Sequence, residues 1–269
     1  MPELPEVETV CRMLSNSVVN KKIIDLVVFR RDLRWPVQAD FEANCIDCEI
    51  TDVYRRGKYI IISLSRGNIV WHLGMSGALK LQAKFNVQKH DHVCVSLSSG
   101  EYLVFNDPRR FGSVSWSLAL DGHPRLVNLG LEPLLDSTQA DLLFNAFKNK
   151  KKKIKDAIMD ASIIVGVGNI YANEALFLSG IDPRSPAGNL TLLQVGALLA
   201  NIKVVLRKAI DAGGTTLNDY VNLEGKPGYF QQELLVYGRS GEECSVCGEI
   251  LQKLDDFSRQ TVICGVCQS

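Results

Sequence analysis

The sequence opens Met1-Pro2-Glu3-Leu4-Pro5-Glu6-Val7-Glu8, and Pro2 stands where removal of the initiator Met would make it the N-terminus. The processed chain then carries a secondary amine with a carboxylic acid beside it. An α-amino group titrates near ~8, so a useful fraction is neutral at physiological pH. Such an amine is a nucleophile for an electrophilic carbon. Because it is secondary it gives an iminium, which acidifies the neighbouring carbon and favours elimination. Pro5 also suits the first turn of a helix, with Glu6 and Glu8 complementing its dipole, and Val7, Val10, Cys11 and Leu14 fall on one helical face. That structural role leaves Pro2 and Glu3 unexplained, since both precede the helix.

A second chemistry lies near the C-terminal end. Cys244-x2-Cys247 and Cys264-x2-Cys267, sixteen residues apart, have the spacing of a four-thiolate zinc site. A disulfide pair fits poorly with the cytosolic chain expected here, and a structural metal suits a segment too short to build its own core. Four thiolates leave no open position for water, so one zinc ion here is structural. Cys45-x2-Cys48 has no second pair and, with Cys11 and Cys94, reads as packing thiols.

These groups need elements to position them. After the first helix come short runs rich in Ile, Val and aromatics: Ile23–Phe29, Ile50–Tyr54, Tyr59–Leu64, Ile69–Leu73, His92–Leu97, Tyr102–Phe105 and Ser113–Trp116. Punctuated by Gly, Asn, Asp and Ser, they predict strands of a β-sandwich or flattened barrel. The pattern changes near Asn128-Leu-Gly-Leu-Glu-Pro133, a linker, beyond which helices are expected at about 138–149, 151–160, 169–179 and 191–212. The 269 residues allow two domains. An apolar content of 46% is that of a globular chain, and no run approaches the ~18 apolar residues of a membrane span. The acidic N-terminus is no secretory signal, so the expected location is the cytoplasm. Formal net charge is zero, so any nucleic-acid binding must come from local patches. One candidate is the run Lys148–Lys155, six of whose eight residues are lysine; on its own such a run is a solvated face or linker.

The opening MPELPEVET resembles the N-terminus of formamidopyrimidine-DNA glycosylases, and the similarity continues in order through RRGKY around Lys58, HLGMSG around Met75, KHDH at 89–92, DPRRFG at 107–112, GVGNIYANE at 166–174, GGTT at 213–216, GKPGYF at 225–230 and the four-cysteine module. The resemblance implies an α+β chain: an N-terminal catalytic β-sandwich with a leading α-helix (1–127), a linker (128–136), a helix–two-turn–helix domain (137–234) and a β-hairpin zinc finger (235–269). It implies a bifunctional DNA glycosylase and abasic-site lyase that removes oxidised purines from double-stranded DNA, acting as a monomer with DNA in the cleft between domains. Endonuclease VIII, which prefers oxidised pyrimidines, is the alternative; it resembles MPEGPE at its start, whereas this chain has Leu4.

The same resemblance assigns roles. Pro2, Glu3, Lys58 and Arg259 are the expected catalytic residues. His90, Arg109, Lys150, Lys155 and Asn169 are expected DNA contacts. Met75, Arg109 and Phe111 are expected to fill the stack vacated when the damaged nucleotide is extruded. The Thr215 carbonyl and the backbone amides of Leu217, Asn218, Asp219 and Tyr220 are expected to read the flipped base. Without the resemblance each has a plainer role: Lys58 a solvated strand-edge lysine, Met75 and Phe111 apolar residues of two tight turns, Arg259 one more surface arginine, and the glycines of 166–168 an ordinary interhelical turn.

Overall fold

The computed structural model describes residues 2–214 and 233–269. They form two compact units, the first of residues 2–127 and 212–214 and the second of residues 128–211 and 233–269. In the first, helix α1 (Leu4–Val18) starts where Glu3 and Glu6 make a reciprocal cap, the Glu6 carboxylate accepting the Glu3 N–H at 2.7 Å. Pro5 occupies the first turn, where no N–H is needed. The face bearing Val7, Val10, Cys11, Leu14 and Val18 is buried.

Eight strands follow: β1 (Ile23–Val28), β2 (Ile50–Arg56), β3 (Tyr59–Leu64), β4 (Asn68–His72), β5 (Ala78–Gln82), β6 (Asp91–Leu97), β7 (Tyr102–Asn106) and β8 (Ser113–Ser117), with one short helix, α2 (Phe41–Cys45), between β1 and β2. They pair antiparallel in two four-stranded sheets, β1-β6-β7-β5 and β2-β3-β4-β8. Ile60, Ile62 and Trp71 from one sheet and Val93, Leu103 and Phe105 from the other share a single core with α1. The result is a β-sandwich. Trp71 and Phe105 bridge the two sheets edge to face, with centroids 5.4 Å apart, a geometry worth about 0.5–1.5 kcal/mol beyond the area it buries.

The second unit holds α3 (Ala140–Phe147), α4 (Ile154–Ile158), α5 (Asn169–Leu178), α6 (Leu192–Asp211) and a terminal hairpin of β9 (Gln252–Leu254) and β10 (Thr261–Ile263). α6 buries Val195, Leu198, Leu199, Ile202, Val205, Leu206, Ala209 and Ile210, the spacing of one amphipathic stripe. Phe177 of α5 packs in one cluster with Val236, Cys244, Leu251, Val262 and Cys264. The fold is therefore α+β, with a sandwich first and helices with a cysteine-bearing hairpin after.

Two elements escape the sequence reading. β5 is an edge strand that buries only Leu79, so its alternation is faint, and α2 is too short for helical periodicity. The expected helices at 138–149 and 151–160 are both shorter. Between them the chain spends its backbone bonds elsewhere: Lys150 and Lys152 carbonyls accept the Gly188 and Ala187 N–H groups at 2.9 Å, and Lys153 bridges Pro186.

Candidate active site and nucleic-acid interface

Pro2 is buried at the start of α1, and Glu3, the helix cap, is only 4% exposed. Lys58, half-buried, sits in the turn joining β2 to β3, which Gly57 enters at φ 58°. Arg55 ties that turn to the leading helix: its Nε donates to Glu8 Oε2 at 3.0 Å and its Nη1 to the Gly57 carbonyl at 2.9 Å. The Arg55 side chain is 8% exposed, so this ion pair is sheltered and fixes geometry that a solvated pair would not. His72, at the end of β4, packs against Tyr59 with the rings tilted by 53° and centroids 4.8 Å apart. Burial, then the charges of Lys58, Arg34 and Arg125, push its pKa down to about 4. The Gly74 N–H donates to His72 Nδ1 at 3.0 Å, so at neutral pH the proton resides on Nε2.

Met75 and Phe111 stand 38% exposed in their two turns, large apolar side chains held out of the core. The Arg109 guanidinium lies over the Phe111 ring, 4.9 Å from its centroid. His90, at φ 73°, adjoins them through its carbonyl, which accepts the Asp107 N–H at 3.0 Å. The structure thus brings together the three residues expected to enter the stack, with His90 beside them.

In the second unit, Gly166 turns at φ 83° and Gly168 caps α5, whose first residue is Asn169. The turn between β9 and β10 is pinned here. The Gln260 carbonyl accepts from Lys155 Nζ and Asn169 Nδ2, each at 3.0 Å, and Asn173 takes the Val262 N–H at 2.9 Å. Lys155 is not the solvent-facing lysine that a phosphate contact suggests. It is 1% exposed, and Thr261 Oγ1 accepts from its ammonium at 2.6 Å. The lysine run divides accordingly, with Lys148, Lys151 and Lys152 exposed and Lys150 half-buried. Arg259, exposed in the β9–β10 turn, lines a cleft of about 190 Å³ with Lys155, Asp156, Met159, Phe257 and Ser258. Thr215, Leu217, Asn218, Asp219 and Tyr220 lie outside the described residues, as does Met1.

The four cysteines of the hairpin converge, every sulfur within 4.8 Å of the others. Cys247 and Cys264 sulfurs are 3.4 Å apart, Cys244 and Cys267 4.0 Å. Tetrahedral bonds of ~2.3 Å place sulfurs about 3.8 Å apart, so the cluster fits one metal ion. Burial instead pushes the Cys45 thiol up to about 12 and the Cys94 thiol to about 11, as inert packing thiols require.

Three further groups were not singled out from the sequence. Arg55 and Glu8 brace the Lys58 turn. Asn173 follows Asn169 by one helical turn, a spacing that could have marked it. Glu174 is 2% exposed and accepts the N–H groups of Leu235, Val236 and Tyr237 at 2.8, 3.0 and 2.8 Å, fastening the chain before the hairpin to α5. Burial raises its pKa against those hydrogen bonds.

Residues 1–114 match the formamidopyrimidine-DNA glycosylase N-terminal domain, and residues 129–221 match the helix–two-turn–helix domain of the same enzymes. The formamidopyrimidine-DNA glycosylases of Shewanella woodyi and Alteromonas mediterranea are 48% and 49% identical to the chain, each aligned over the whole of both sequences. Among solved structures, a Lactococcus lactis Fpg variant in complex with Fapy-dG DNA superposes with TM-score 0.91 at 32% identity over all of both chains. Thermus thermophilus MutM (Fpg) gives 0.89 at 35% identity over 99% of this chain and 98% of that one. The fold and these matches define a DNA glycosylase of base excision repair. The chain belongs to the formamidopyrimidine-DNA glycosylase family.

Proposed function

We propose that this protein excises oxidised purines, chiefly 8-oxoguanine opposite cytosine and ring-opened formamidopyrimidines, and then cleaves the abasic strand by β- and δ-elimination. The observation that carries the reading is Pro2 held in a buried position at the cap of α1, with Glu3 next to it and the Lys58 turn braced to the same helix. After removal of Met1, the Pro2 nitrogen attacks C1′ of the damaged nucleotide as the bond to the base breaks. Glu3 gives a proton to the sugar ring oxygen as the ring opens, leaving an iminium between Pro2 and C1′. Loss of the C2′ proton and departure of the 3′ phosphate complete β-elimination. A second elimination expels the 5′ phosphate, leaving a one-nucleotide gap. Lys58 serves acid–base and phosphate contacts beside the amine, and Arg259 the phosphate and the last elimination.

His90, Lys150 and Asn169 contact DNA phosphate, and Arg109 the base opposite the lesion. Met75 and Phe111 wedge into the opened stack, supported by their exposure beside Arg109. Lys155 serves phosphate recognition by fixing the Arg259 turn. The backbone from Thr215 to Tyr220 reads the flipped base. The four cysteines hold one zinc ion, which supplies cross-linking in place of a core and takes no part in the chemistry. We read residues 1–127 as the catalytic domain, 128–136 as a linker, 137–234 as the helix–two-turn–helix domain and 235–269 as the zinc finger. We place the enzyme in the bacterial cytoplasm as a monomer; among the described residues no helix is long and apolar enough to cross a membrane.

Excision rates on otherwise identical duplexes carrying 8-oxoguanine, formamidopyrimidine or an oxidised pyrimidine test the substrate class. A Lactococcus lactis Fpg is known in complex with oxidised-pyrimidine DNA, so the comparison of rates, rather than binding, decides. Purine lesions should be favoured; a preference for the pyrimidine would assign the chain the endonuclease VIII specificity instead.

A further inference from the structure

Beneath the exposed trio of Met75, Arg109 and Phe111 lies a carboxylate to which the mechanism gives no part. Asp107 is 0% exposed. Its Oδ1 accepts the Ser76 hydroxyl at 2.6 Å and the Arg109 N–H at 3.3 Å, and its Oδ2 accepts the Gly112 N–H at 2.7 Å. Ser76 Oγ in turn accepts the Arg109 N–H at 3.2 Å. Asp107's own carbonyl faces His92 Nε2 at 2.8 Å, and its N–H bonds the His90 carbonyl. One buried side chain therefore holds the residue after Met75, the backbone of Arg109 and the backbone after Phe111.

The two turns are also pressed together where Asp107 joins them. Gly74, at φ 67°, has no room for a side chain: a Cβ there would lie 2.3 Å from the Phe111 carbonyl carbon and 2.4 Å from the Gly112 nitrogen. A Cβ on Gly112 would meet Phe105 Cζ at 2.5 Å and Asp107 Oδ2 at 3.1 Å. Two turns that are distant in sequence are thus locked backbone to backbone, with a carboxylate as their common acceptor. A buried carboxylate is costly unless its oxygens are satisfied, and here each oxygen is bonded to a turn that bears an exposed side chain. Such an arrangement fixes where those side chains stand, which a site must do within about half an ångström.

We propose that Asp107 is the positioning residue of the stack-filling trio: through Ser76, Arg109 N–H and Gly112 N–H it sets Met75, Arg109 and Phe111 as one rigid unit. Its consequence is for specificity, because discrimination of the opposite base requires Arg109 at a fixed place relative to the wedge. This rests on the role proposed above for the trio, and the experiment separates the two. Excision of 8-oxoguanine opposite cytosine and opposite adenine is measured for the parent and for Arg109→Ala, Ser76→Ala, Asp107→Asn and Asp107→Asn with Arg109→Ala. Cleavage of a single-stranded abasic oligonucleotide, which has no opposite base and no stack to refill, is the readout for the chemistry itself.

Arg109→Ala should compress the cytosine-to-adenine ratio about tenfold. Asp107→Asn should compress it by a similar factor, since an amide nitrogen cannot accept the bonds of one oxygen, and Ser76→Ala by about threefold. The double variant should be no worse than Arg109→Ala alone, and abasic cleavage by Asp107→Asn and by Ser76→Ala should stay within about twofold of the parent. If Arg109→Ala compresses the ratio while Asp107→Asn and Ser76→Ala leave it intact, the positioning role is overturned and the trio stands. If Arg109→Ala leaves the ratio unchanged, the trio falls, and Asp107's role with it. Should Asp107→Asn fail to fold, Ser76→Ala decides alone, because it removes only the two bonds of one hydroxyl in a partly exposed turn.

Discussion

Arg109 and the groups proposed to touch phosphate separate two kinds of contact. Phosphates are the same for every sequence, whereas a base edge is read by a side chain in a fixed place. Arg109→Ala should therefore cost discrimination more than it costs affinity, with the salt dependence of binding to undamaged duplex changed by at most one counterion. A collapse of that binding with the cytosine preference preserved would make Arg109 an ordinary phosphate contact. His72 carries a prediction of another kind. Its folded pKa is depressed to about 4 from an ordinary 6.5, so below pH 6.5 the unfolded chain binds a proton that the folded chain refuses. Stability contributed by the neutral ring is present above about pH 6.5 and is lost as pH falls toward 4. Urea unfolding at pH 7 and pH 5 should show a smaller loss for His72→Gln than for the parent; an equal loss in both would mean that His72 does not titrate in this range. At this scale the sequence was legible where chemistry depends on residue type and spacing, as with the paired cysteines, whose sulfurs converge. It placed Asp107, Arg55 and Glu174 inside the matching motifs but gave them no role, because what they do lies in what they touch across long stretches of chain.

The element with most at stake is the hairpin β9–β10, which has little core of its own and carries Arg259. Two devices hold it. The cysteine cluster closes its base, and side chains of α4 and α5 grip its turn at the Gln260 carbonyl and the Val262 N–H. Cys247→Ser should release the metal and weaken DNA binding before it disturbs the sandwich, a sequence of events that metal analysis, circular dichroism and a binding titration would follow. Tight binding of abasic DNA by a metal-free variant would show the hairpin to be dispensable for affinity. Asn173→Ala leaves a buried N–H without its acceptor, at a cost of about 1–3 kcal/mol. Amide exchange should accelerate at Val262 and its neighbours while exchange in β3 and β4 is unaffected; unchanged protection at Val262 would remove Asn173 from this role. Strands and long helices were visible in the sequence because their apolar signal is strong, a run of β-branched residues in β3 and a helical stripe in α6. β5, one residue deep in the core, and the link at Lys150–Lys153, whose bonds go to residues 186–188, were not, because neither leaves a periodic signature. Lys155 shows the same limit: its place in a lysine run suggested solvent, and only the fold reveals the turn that buries it.

For the whole molecule, the proposed reaction begins at the Pro2 amine, and the fold must hold that residue in place. The terminus is not left trailing: Glu3 and Glu6 cap α1, Pro2 is buried at its start, and the Arg55–Glu8 pair brings the Lys58 turn to the same helix. Every other proposed contact is useful only if the Pro2 nitrogen is a free secondary amine. Pro2→Gly keeps an amine at the terminus but makes it primary and unconstrained, and it should lose most base excision. The most direct test is borohydride trapping on 8-oxoguanine duplex, with the adducted residue identified by mass spectrometry, for the processed chain and for a chain shown to retain Met1. The processed chain should form a stable adduct on Pro2 and the Met1-bearing chain none. Undiminished trapping with Met1 in place, or an adduct on a lysine in the processed chain, would contradict Pro2 as the nucleophile.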